Sequence, residues 1–329
     1  MPPSVLFLAE PGEDYVADSL FHGLRTLLGP DAVDFPRREP LYVDGAPGRT
    51  LYGRGFGLYR TLEDIPVDRE RVLERAAAGE FDLVVSGAIW RDWEWWVRAW
   101  ETVGTAARHA VVDGADVEWM YPYGPTWWKS PSRWTLPRAH RRAVYFKRER
   151  TRLTGWLRFY GLVPPPLSDR IPVHEIAISY PEEKVVAQVG PKSRQFQTHI
   201  VDPELAERNG GKVSYAFESE AEYRADLASA RFGVTVKREG WDALRHYEIA
   251  AAGTVPVFRQ LTRKPPGCAP HGLRPGVNCL SYENADHLMA QIERLPDSLY
   301  DDLAAGALAW ARENTTRRSA ERFLAASGF

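Results

Sequence analysis

The chain has 329 residues and a formal net charge of −2 at pH 7, so its overall charge does not favour nucleic acid or a membrane surface as a partner. Apolar residues make up 44% and charged residues 26%, a globular composition sufficient for one large or two ordinary domains. No run approaches the ~20 apolar residues that span a bilayer.

The N-terminal segment and the cysteines bear on the processing and the redox state of the chain. The N-terminal "MPPSVLFLAEPGEDY" has one short apolar run and no basic segment before it, which predicts a first β-strand and not a signal peptide. Cys268 and Cys279 lack metal-ligand spacing. We therefore expect a reduced, cytoplasmic protein.

The first half of the chain alternates predicted strands with predicted helices. The apolar run "SVLFLAE" (4–10) predicts a strand that is buried on both faces. The leucine spacing in "DYVADSLFHGLRTLLG" (14–29) predicts a helix that stops at its final glycine. The further predicted elements are a strand at 32–36, a loop rich in Gly, Pro and Tyr at 38–66, a helix at 67–81, a strand at 82–88, a helix at 90–104 and strands at 108–116 and 143–149.

The second half repeats this alternation. Its predicted elements are strands at 183–190 and 211–217, a helix at 220–230, a strand at 231–236, a helix at 241–253, strands at 254–258 and 276–282, and helices at 284–295 and 297–316. Such alternation predicts parallel sheets joined by right-handed crossovers. The Pro-rich stretch 161–173 is the best linker, so we predict an N-terminal α/β domain at 1–172, a C-terminal α/β domain at 173–315 and a cleft between them.

A charged junction lies between the predicted strand 231–236 and the helix 241–253. Lys237 and Arg238 stand just before the helix, whose first N–H groups are free and whose dipole end is positive. Parallel α/β proteins bind ligands at such junctions, and this one suits a phosphate or diphosphate. Gly240 lets the backbone approach a ligand closely.

Two further residues of this helix could contact a ligand at the junction. Glu248 could accept hydrogen bonds from ribose hydroxyls. Arg245 lies one turn before it and could pair with Glu248 or with a phosphate. The alternative is a solvated helix start with an ordinary Glu–Arg ion pair.

The segment "FGVTVKREGWDALRHYEIAAAGTVPV" resembles the donor-binding segment of GT-B glycosyltransferases, in particular the bacterial family 1/4-like proteins. The following "HGLRPGVNCLSYENADHLMAQIERL" (271–295) is similar to the next part of that pattern. The resemblance implies two Rossmann-like domains facing a cleft, with a nucleotide-diphosphate sugar held by the second. It also implies that a last helix at 316–329 packs back on the N-terminal domain.

The resemblance implies roles for individual residues. Glu248 matches the glutamate that holds the donor ribose, and Lys237 and Arg245 match positions that face the diphosphate. Glu239 lies near the first glutamate of a Glu-x7-Glu pattern, but residues 240–247 place eight residues before Glu248, which leaves the role of Glu239 and the stereochemistry open. The implied donor-binding set is Lys237, Arg238, Gly240, Trp241, Asp242, Arg245 and Glu248.

The aspartate spacing indicates how the leaving group is stabilised. An Asp-x-Asp pair would place two carboxylates on one divalent ion, and no two aspartates of this chain have that spacing. We therefore expect no metal and no cofactor. Basic side chains and the helix N-terminus would then meet the charge of the departing diphosphate.

The acceptor side also needs a base or a stabilising carboxylate. Asp113 and Asp116 follow a predicted strand, and Asp18 lies in the first helix. The alternatives are turn chemistry for the first two and helix capping for the third. A Trp-rich loop at 118–134, with Tyr123, Trp127 and Trp128, either stacks on an acceptor ring or packs on its own aromatics.

The identity of the acceptor stays open. The basic run 138–158 either forms a solvated face or attracts an anionic acceptor, such as a small molecule, a lipid-linked sugar or a nucleic acid. We predict a metal-independent glycosyltransferase that acts on a hydroxyl acceptor. A nucleotide-sugar epimerase and a non-catalytic sugar-nucleotide-binding protein are the alternatives.

Overall fold

The structure is a computed structural model that describes residues 2–45, 51–121, 139, 141–151, 154 and 173–329. The chain divides into two compact units. Unit 1 comprises Met1–Ile178, Pro266–Ala269 and Thr316–Phe329, and unit 2 comprises Ser179–Pro265 and Pro270–Thr315. Within the described ranges, no helix is long and apolar enough to cross a bilayer.

Unit 1 is built on a parallel sheet of order β2-β1-β3-β4-β5-β6. Its strands are β1 Val5–Leu8, β2 Ala32–Phe35, β3 Leu83–Ser86, β4 Arg108–Asp113, β5 Ala143–Lys147 and β6 Val173–Glu175. Its helices include α1 Tyr15–Leu28, α2 Val72–Ala77, α3 Glu94–Val103 and α9 Thr316–Ala326. Because β2 and β3 flank β1 on opposite sides, the winding direction reverses between β1 and β3, and ligands bind at such switch points.

The C-terminal helix α9 packs on α1 within unit 1. Asp14 caps α1 by accepting hydrogen bonds from the backbone N–H groups of Val16 and Ala17. At the helix crossing, His22 Nδ1 lies 2.8 Å from Thr316 Oγ1. A Cβ on Gly23 would lie only 1.9 Å from the Thr316 carbonyl oxygen, so this close approach requires glycine.

Unit 2 contains a parallel sheet of order β10-β9-β8-β7. Its strands are β7 Arg194–Phe196, β8 Ala230–Thr235, β9 Val255–Arg259 and β10 Leu280–Tyr282. Its helices are α4 Pro203–Asn209, α5 Glu220–Ser229, α6 Leu244–Ala251, α7 Ala285–Glu293 and α8 Asp297–Glu313 within the described residues. Phe232, Val234 and Val257 lie at the centre of its apolar core, as buried parallel strands require.

Two predicted strands of unit 2 are wrong. Residues 183–190 contain a short 3-10 turn and no strand, and the sheet edge is formed instead at β7, where Phe196 packs on Phe232 with ring centroids 6.1 Å apart. Residues 211–217 contribute only a single bridge, between Lys212 and His199. Apolar alternation does not specify which segment reaches the sheet edge, because pairing depends on distant residues.

The sequence prediction also omitted α4. Asp202 caps this helix by accepting a hydrogen bond from Glu204 N (3.1 Å), with a proline at the first helical position. Asp-Pro-Glu is a helix-start signal, so this element could have been predicted. The predicted helix at 67–81 is confirmed only for Val72–Ala77.

Candidate donor-binding site

A buried histidine holds the junction between β8 and α6. His246 Nε2 lies 2.9 Å from the Trp241 carbonyl oxygen, which can only accept, so this nitrogen carries the proton. His246 Nδ1 therefore accepts from Thr235 Oγ1 at 2.8 Å. Burial lowers the pKa of His246 to about 4, so the imidazole is neutral at physiological pH and links strand, loop and helix.

The loop between β8 and α6 is stabilised by a second buried contact. Asp242 is buried and accepts a hydrogen bond from the Tyr247 hydroxyl at 2.9 Å. Tyr247 in turn stacks on Trp310, with ring centroids 4.9 Å apart. Asp242, which the resemblance includes among the donor-binding residues, thus stabilises the loop through a buried hydrogen bond. Gly240 of the same loop is also buried.

The basic side chains of this junction have no carboxylate partner within the described part of the chain. Lys237 is exposed, and its Nζ donates to the Glu239 carbonyl oxygen at 2.7 Å. Arg238 is also exposed, and Arg245 Nη1 is buried without a hydrogen-bond partner. Among the residues that the structure describes, no ion pair involves any of these three basic side chains, so their charges are available to an anionic ligand.

His199 orients Arg245 without neutralising it. His199 Nε2 lies 2.9 Å from the Val213 carbonyl oxygen and is therefore the protonated nitrogen. His199 Nδ1 accepts from Arg245 Nη2 at 3.2 Å. Burial, and secondly the Arg245 charge, lower the pKa of His199 to about 4, so the pair carries a full positive charge. The sequence offered no signal for His199, which lies 46 residues from Arg245.

Glu248 lies one turn after Arg245 and is buried. Its Oε2 accepts a hydrogen bond from the Tyr223 hydroxyl at 2.7 Å. Burial raises the pKa of Glu248, against the opposing effects of Arg245 and Tyr223. The alternative of an Arg245–Glu248 ion pair is not supported, because the two side chains do not approach within 4 Å and are held by His199 and Tyr223 respectively.

A cavity of about 240 Å³ adjoins Glu248 and is lined also by Tyr180 and Lys184. It is smaller than the ~300–1,000 Å³ of typical ligand pockets, so it could hold only part of a nucleotide. A larger cavity, of about 400 Å³, lies beside Arg194 and Arg231 at the amino ends of β7 and β8. We place the candidate site at the junction, because open parallel sheets bind ligands at their carboxyl ends.

An aromatic cluster lies beside Glu248. The rings of Tyr215, Phe217 and Tyr223 are mutual neighbours, with centroids between 5.5 and 6.2 Å apart. Tyr215 and Phe217 are half-buried, and the Tyr223 hydroxyl reaches Glu248. The alternating aromatics of "SYAF" predicted a strand, but the structure packs them on α5.

The carboxylate of the predicted acceptor-side residue Asp113 is buried and accepts several hydrogen bonds. Its carboxylate is fully buried and accepts from Ala115 N (3.2 Å), Tyr121 N (3.0 Å) and the Tyr145 hydroxyl (2.6 Å). Lys147 Nζ lies 3.1 Å from its Oδ1, and burial lowers the pKa of Lys147. These contacts are typical of an anchoring residue.

The other predicted carboxylates differ in exposure. Asp116 is exposed and pairs with Arg148. Asp18 is fully buried and accepts from the Arg38 guanidinium and the Tyr59 hydroxyl, and burial raises its pKa. Glu239 is exposed.

The predicted acceptor aromatics Tyr123, Trp127 and Trp128 lie outside the described residues. Within the basic run 138–158, residues 138, 140, 152, 153 and 155–158 lie outside them as well. In the part of the chain that is described, no group of three or more His, Cys, Asp or Glu side chains could hold a metal ion.

The sequence matches no protein-family model and no curated protein. Solved structures match over almost the whole chain. A glycosyltransferase from Rickettsia africae is 12% identical, with 99% of this chain and 98% of that chain covered and a TM-score of 0.53. A UDP-forming α,α-trehalose-phosphate synthase from Burkholderia xenovorans is 12% identical, with 99% of both chains covered and a TM-score of 0.52.

HepE of Anabaena in complex with UDP-glucose is 9% identical, with 98% of both chains covered and a TM-score of 0.52. These structures are GT-B glycosyltransferases, and the present chain has their fold. The prediction of two Rossmann-like α/β units of the GT-B type is confirmed.

Proposed function

We propose that the protein is a glycosyltransferase that moves a sugar from a nucleotide-diphosphate sugar to a hydroxyl acceptor. The observation that carries this proposal is a set of basic side chains that lack carboxylate partners among the described residues: Lys237 and Arg238 in the loop after β8, and Arg245 in the first turn of α6. The GT-B neighbours named above, one of which is in complex with UDP-glucose, support the same reaction class.

Each part of the donor has a matching group at the junction. Lys237, Arg245 and the N-terminus of α6, which has no side-chain cap, would neutralise the diphosphate and stabilise the charge that develops as it departs. Glu248 would accept hydrogen bonds from the ribose hydroxyls. The half-buried rings of Tyr215 and Phe217 would stack on the base.

Metal independence is part of the proposal. It rests on the absence of an Asp-x-Asp pair in the sequence and on the uncommitted basic side chains of the junction. If a divalent ion carried the leaving-group charge instead, EDTA would abolish transfer and added Mg²⁺ or Mn²⁺ would restore it. A cytoplasmic location is also part of the proposal, supported by Cys268 and Cys279, which are both buried and form no disulfide.

On the acceptor side we propose Asp116 as the carboxylate that assists the incoming hydroxyl. Of the three predicted aspartates it is the one with an exposed carboxylate, since Asp113 and Asp18 are fully buried and hold several donors each. An Asp116→Asn variant is expected to lose transfer while it still binds nucleotide.

A thermal-shift screen tests the donor site. A ligand that binds only the folded state adds about 2.7 kcal/mol of stability at a hundredfold excess over its Kd. We expect UDP, GDP or ADP, and the matching nucleotide sugar, to raise the melting temperature. Glu248→Ala should lose that shift, whereas Glu207→Ala, the same change at an exposed position of α4, should keep it.

The products of the purified protein then separate the alternatives. Nucleotide released together with a glycosylated acceptor supports the transferase. Interconversion of the nucleotide sugar would indicate the epimerase, and binding without any product would indicate a non-catalytic protein. The absence of a shift with every nucleotide would refute the donor site itself.

A further inference from the structure

Two loops meet at the switch point of the unit 1 sheet, and tryptophan side chains tie them together. The first loop follows β1 and the second follows β3. Trp90 of the second loop donates its indole N–H to Asp14 Oδ2 of the first at 2.5 Å. Trp95, at the start of α3, donates its indole N–H to the Glu10 carboxylate. Both indole rings are therefore held in place by carboxylates from the opposite loop.

Aromatic surface is concentrated at this edge. Among the described residues, the large aromatic side chains that stand out as exposed are Tyr52, Trp90 and Phe329, at 77%, 36% and 42%. Tyr52 joins Trp90 at this edge, because its backbone N–H donates to the Glu13 carboxylate at 2.8 Å and the Tyr15 hydroxyl donates to its carbonyl oxygen at 3.2 Å. An exposed tryptophan and an exposed tyrosine beside a switch point are typical of a binding surface.

The charges at this edge disfavour an anionic ligand. Glu10, Glu13 and Asp14 all belong to the loop that follows β1. Arg38 is committed to the Asp18 carboxylate and to the carbonyl oxygens of Glu10 (2.6 Å) and Gly12 (2.8 Å). A phosphate at this position would meet several carboxylates and a cation that is already paired.

A second cation at the edge, Arg91, is engaged with the protein as well. Its guanidinium donates to the Glu13 carbonyl oxygen and lies 4.4 Å from the centroid of the Trp90 ring. This contact covers one face of the indole and leaves the exposed part of the ring to a ligand. At the end of β3, the Ser86 hydroxyl is buried and has no hydrogen-bond partner, so one more polar group at this edge is uncommitted.

We propose that the crevice between the β1 and β3 loops binds a neutral saccharide, with Trp90 and Tyr52 against the sugar ring. A sugar ring presents C–H groups on its faces and hydroxyls around its rim. Aromatic faces attract the slightly positive C–H groups, and carboxylates such as Glu10 accept hydrogen bonds from hydroxyls. The assignment of this crevice as the acceptor site of the enzyme rests on the proposed function. It favours a neutral sugar over the anionic acceptors that the basic run 138–158 suggested.

Saturation-transfer NMR and calorimetry on the whole chain test the site with maltose, cellobiose and lactose, and with glucose 6-phosphate as the anionic comparison. Tyr52→Ala is the most direct variant, because the side chain is largely exposed and its loss should not affect folding. Trp90→Ala removes the second ring, and Trp90→Phe keeps a ring but loses the indole N–H. Phe329→Ala is the matched control, since it removes an exposed aromatic at the C-terminus.

We expect at least one neutral disaccharide to bind, about tenfold more weakly to Tyr52→Ala and Trp90→Ala, and with unchanged affinity to Phe329→Ala. Trp90→Phe should retain most of the affinity. The proposal is overturned if no neutral sugar binds, if the two alanine variants bind as the wild type does, or if glucose 6-phosphate binds preferentially.

The nucleotide thermal shift is measured on the same samples, so that the two proposals fail separately. A nucleotide shift without saccharide binding would refute the saccharide site and leave the transferase in place. Saccharide binding that depends on Tyr52 and Trp90, without any nucleotide shift, would support the site and refute the transferase.

Discussion

Replacing Arg245 by methionine tests the donor site most directly. Arg245 Nη1 is buried and unpartnered, and Nη2 is oriented by His199 Nδ1 at 3.2 Å, so the guanidinium is placed to donate to a phosphate oxygen. A hydrogen bond to a charged group contributes about 1.5–3 kcal/mol, and each ~1.4 kcal/mol is tenfold in Kd. The variant should therefore bind the cognate nucleoside diphosphate roughly 10- to 150-fold more weakly.

The assay is isothermal titration calorimetry at pH 7.5 with the nucleoside diphosphate that gives the largest thermal shift. Arg245→Lys keeps the charge but loses the forked geometry and should fall between the wild type and methionine. Arg208→Met is the control, because it removes an arginine that makes only an exposed pair with Asp286. His199 provides a second readout, since loss of the Arg245 charge should raise its pKa above about 4.

The reasoning is refuted if folded Arg245→Met binds the diphosphate within twofold of the wild type. The free energy of unfolding should meanwhile fall by only about 0.5–1.5 kcal/mol, because a single hydrogen bond to a neutral histidine is lost. A much larger loss would mean that Arg245 serves mainly to stabilise the unit.

Three other substitutions test the energetics of the fold. Because burial raises the folded-state pKa of Glu248 above 4.5, the wild type loses stability as pH rises through that range, and Glu248→Gln should melt higher than the wild type at pH 7 but not at pH 4. Gly23→Ala, which sets a Cβ 1.9 Å from the Thr316 carbonyl oxygen, should cost about 1–3 kcal/mol or more by urea denaturation. Asp113→Asn should cost about 3–5 kcal/mol, because it leaves Lys147 buried without its partner, and adding Lys147→Met should recover most of that loss.

Each of these has an outcome that contradicts it. Gly190→Ala is the control for Gly23, since nothing lies within 4 Å of a Cβ at that position, and equal losses would mean that the helix contact is not tight. A Glu248→Gln variant less stable than the wild type at pH 7 would show that burial does not dominate at this carboxyl. Asp113→Asn with wild-type stability would remove the anchoring role, as would a double variant no more stable than the single one.

Local patterns in the sequence determined the fold class. The apolar run at 4–10 and the segments around β8, α6 and β9 specify a parallel α/β arrangement, because burial on both strand faces and helical periodicity are encoded within a few residues. The electropositive β8–α6 junction could also be predicted, because Lys237 and Arg238 are adjacent in the sequence. Local patterns did not predict β7, because residues within a few positions do not determine whether 183–190 or 194–196 pairs with β8.

Only the tertiary structure decided which charged groups are free to act. Asp113 and Asp116 lie three residues apart, yet one is buried under several donors and the other is exposed. The Arg245 guanidinium is oriented by a distant, neutral His199 and not by a carboxylate among the described residues. Desolvation and pairing depend on neighbours from remote parts of the chain, so the state of an ionisable side chain is set by the folded environment and not by its adjacent residues.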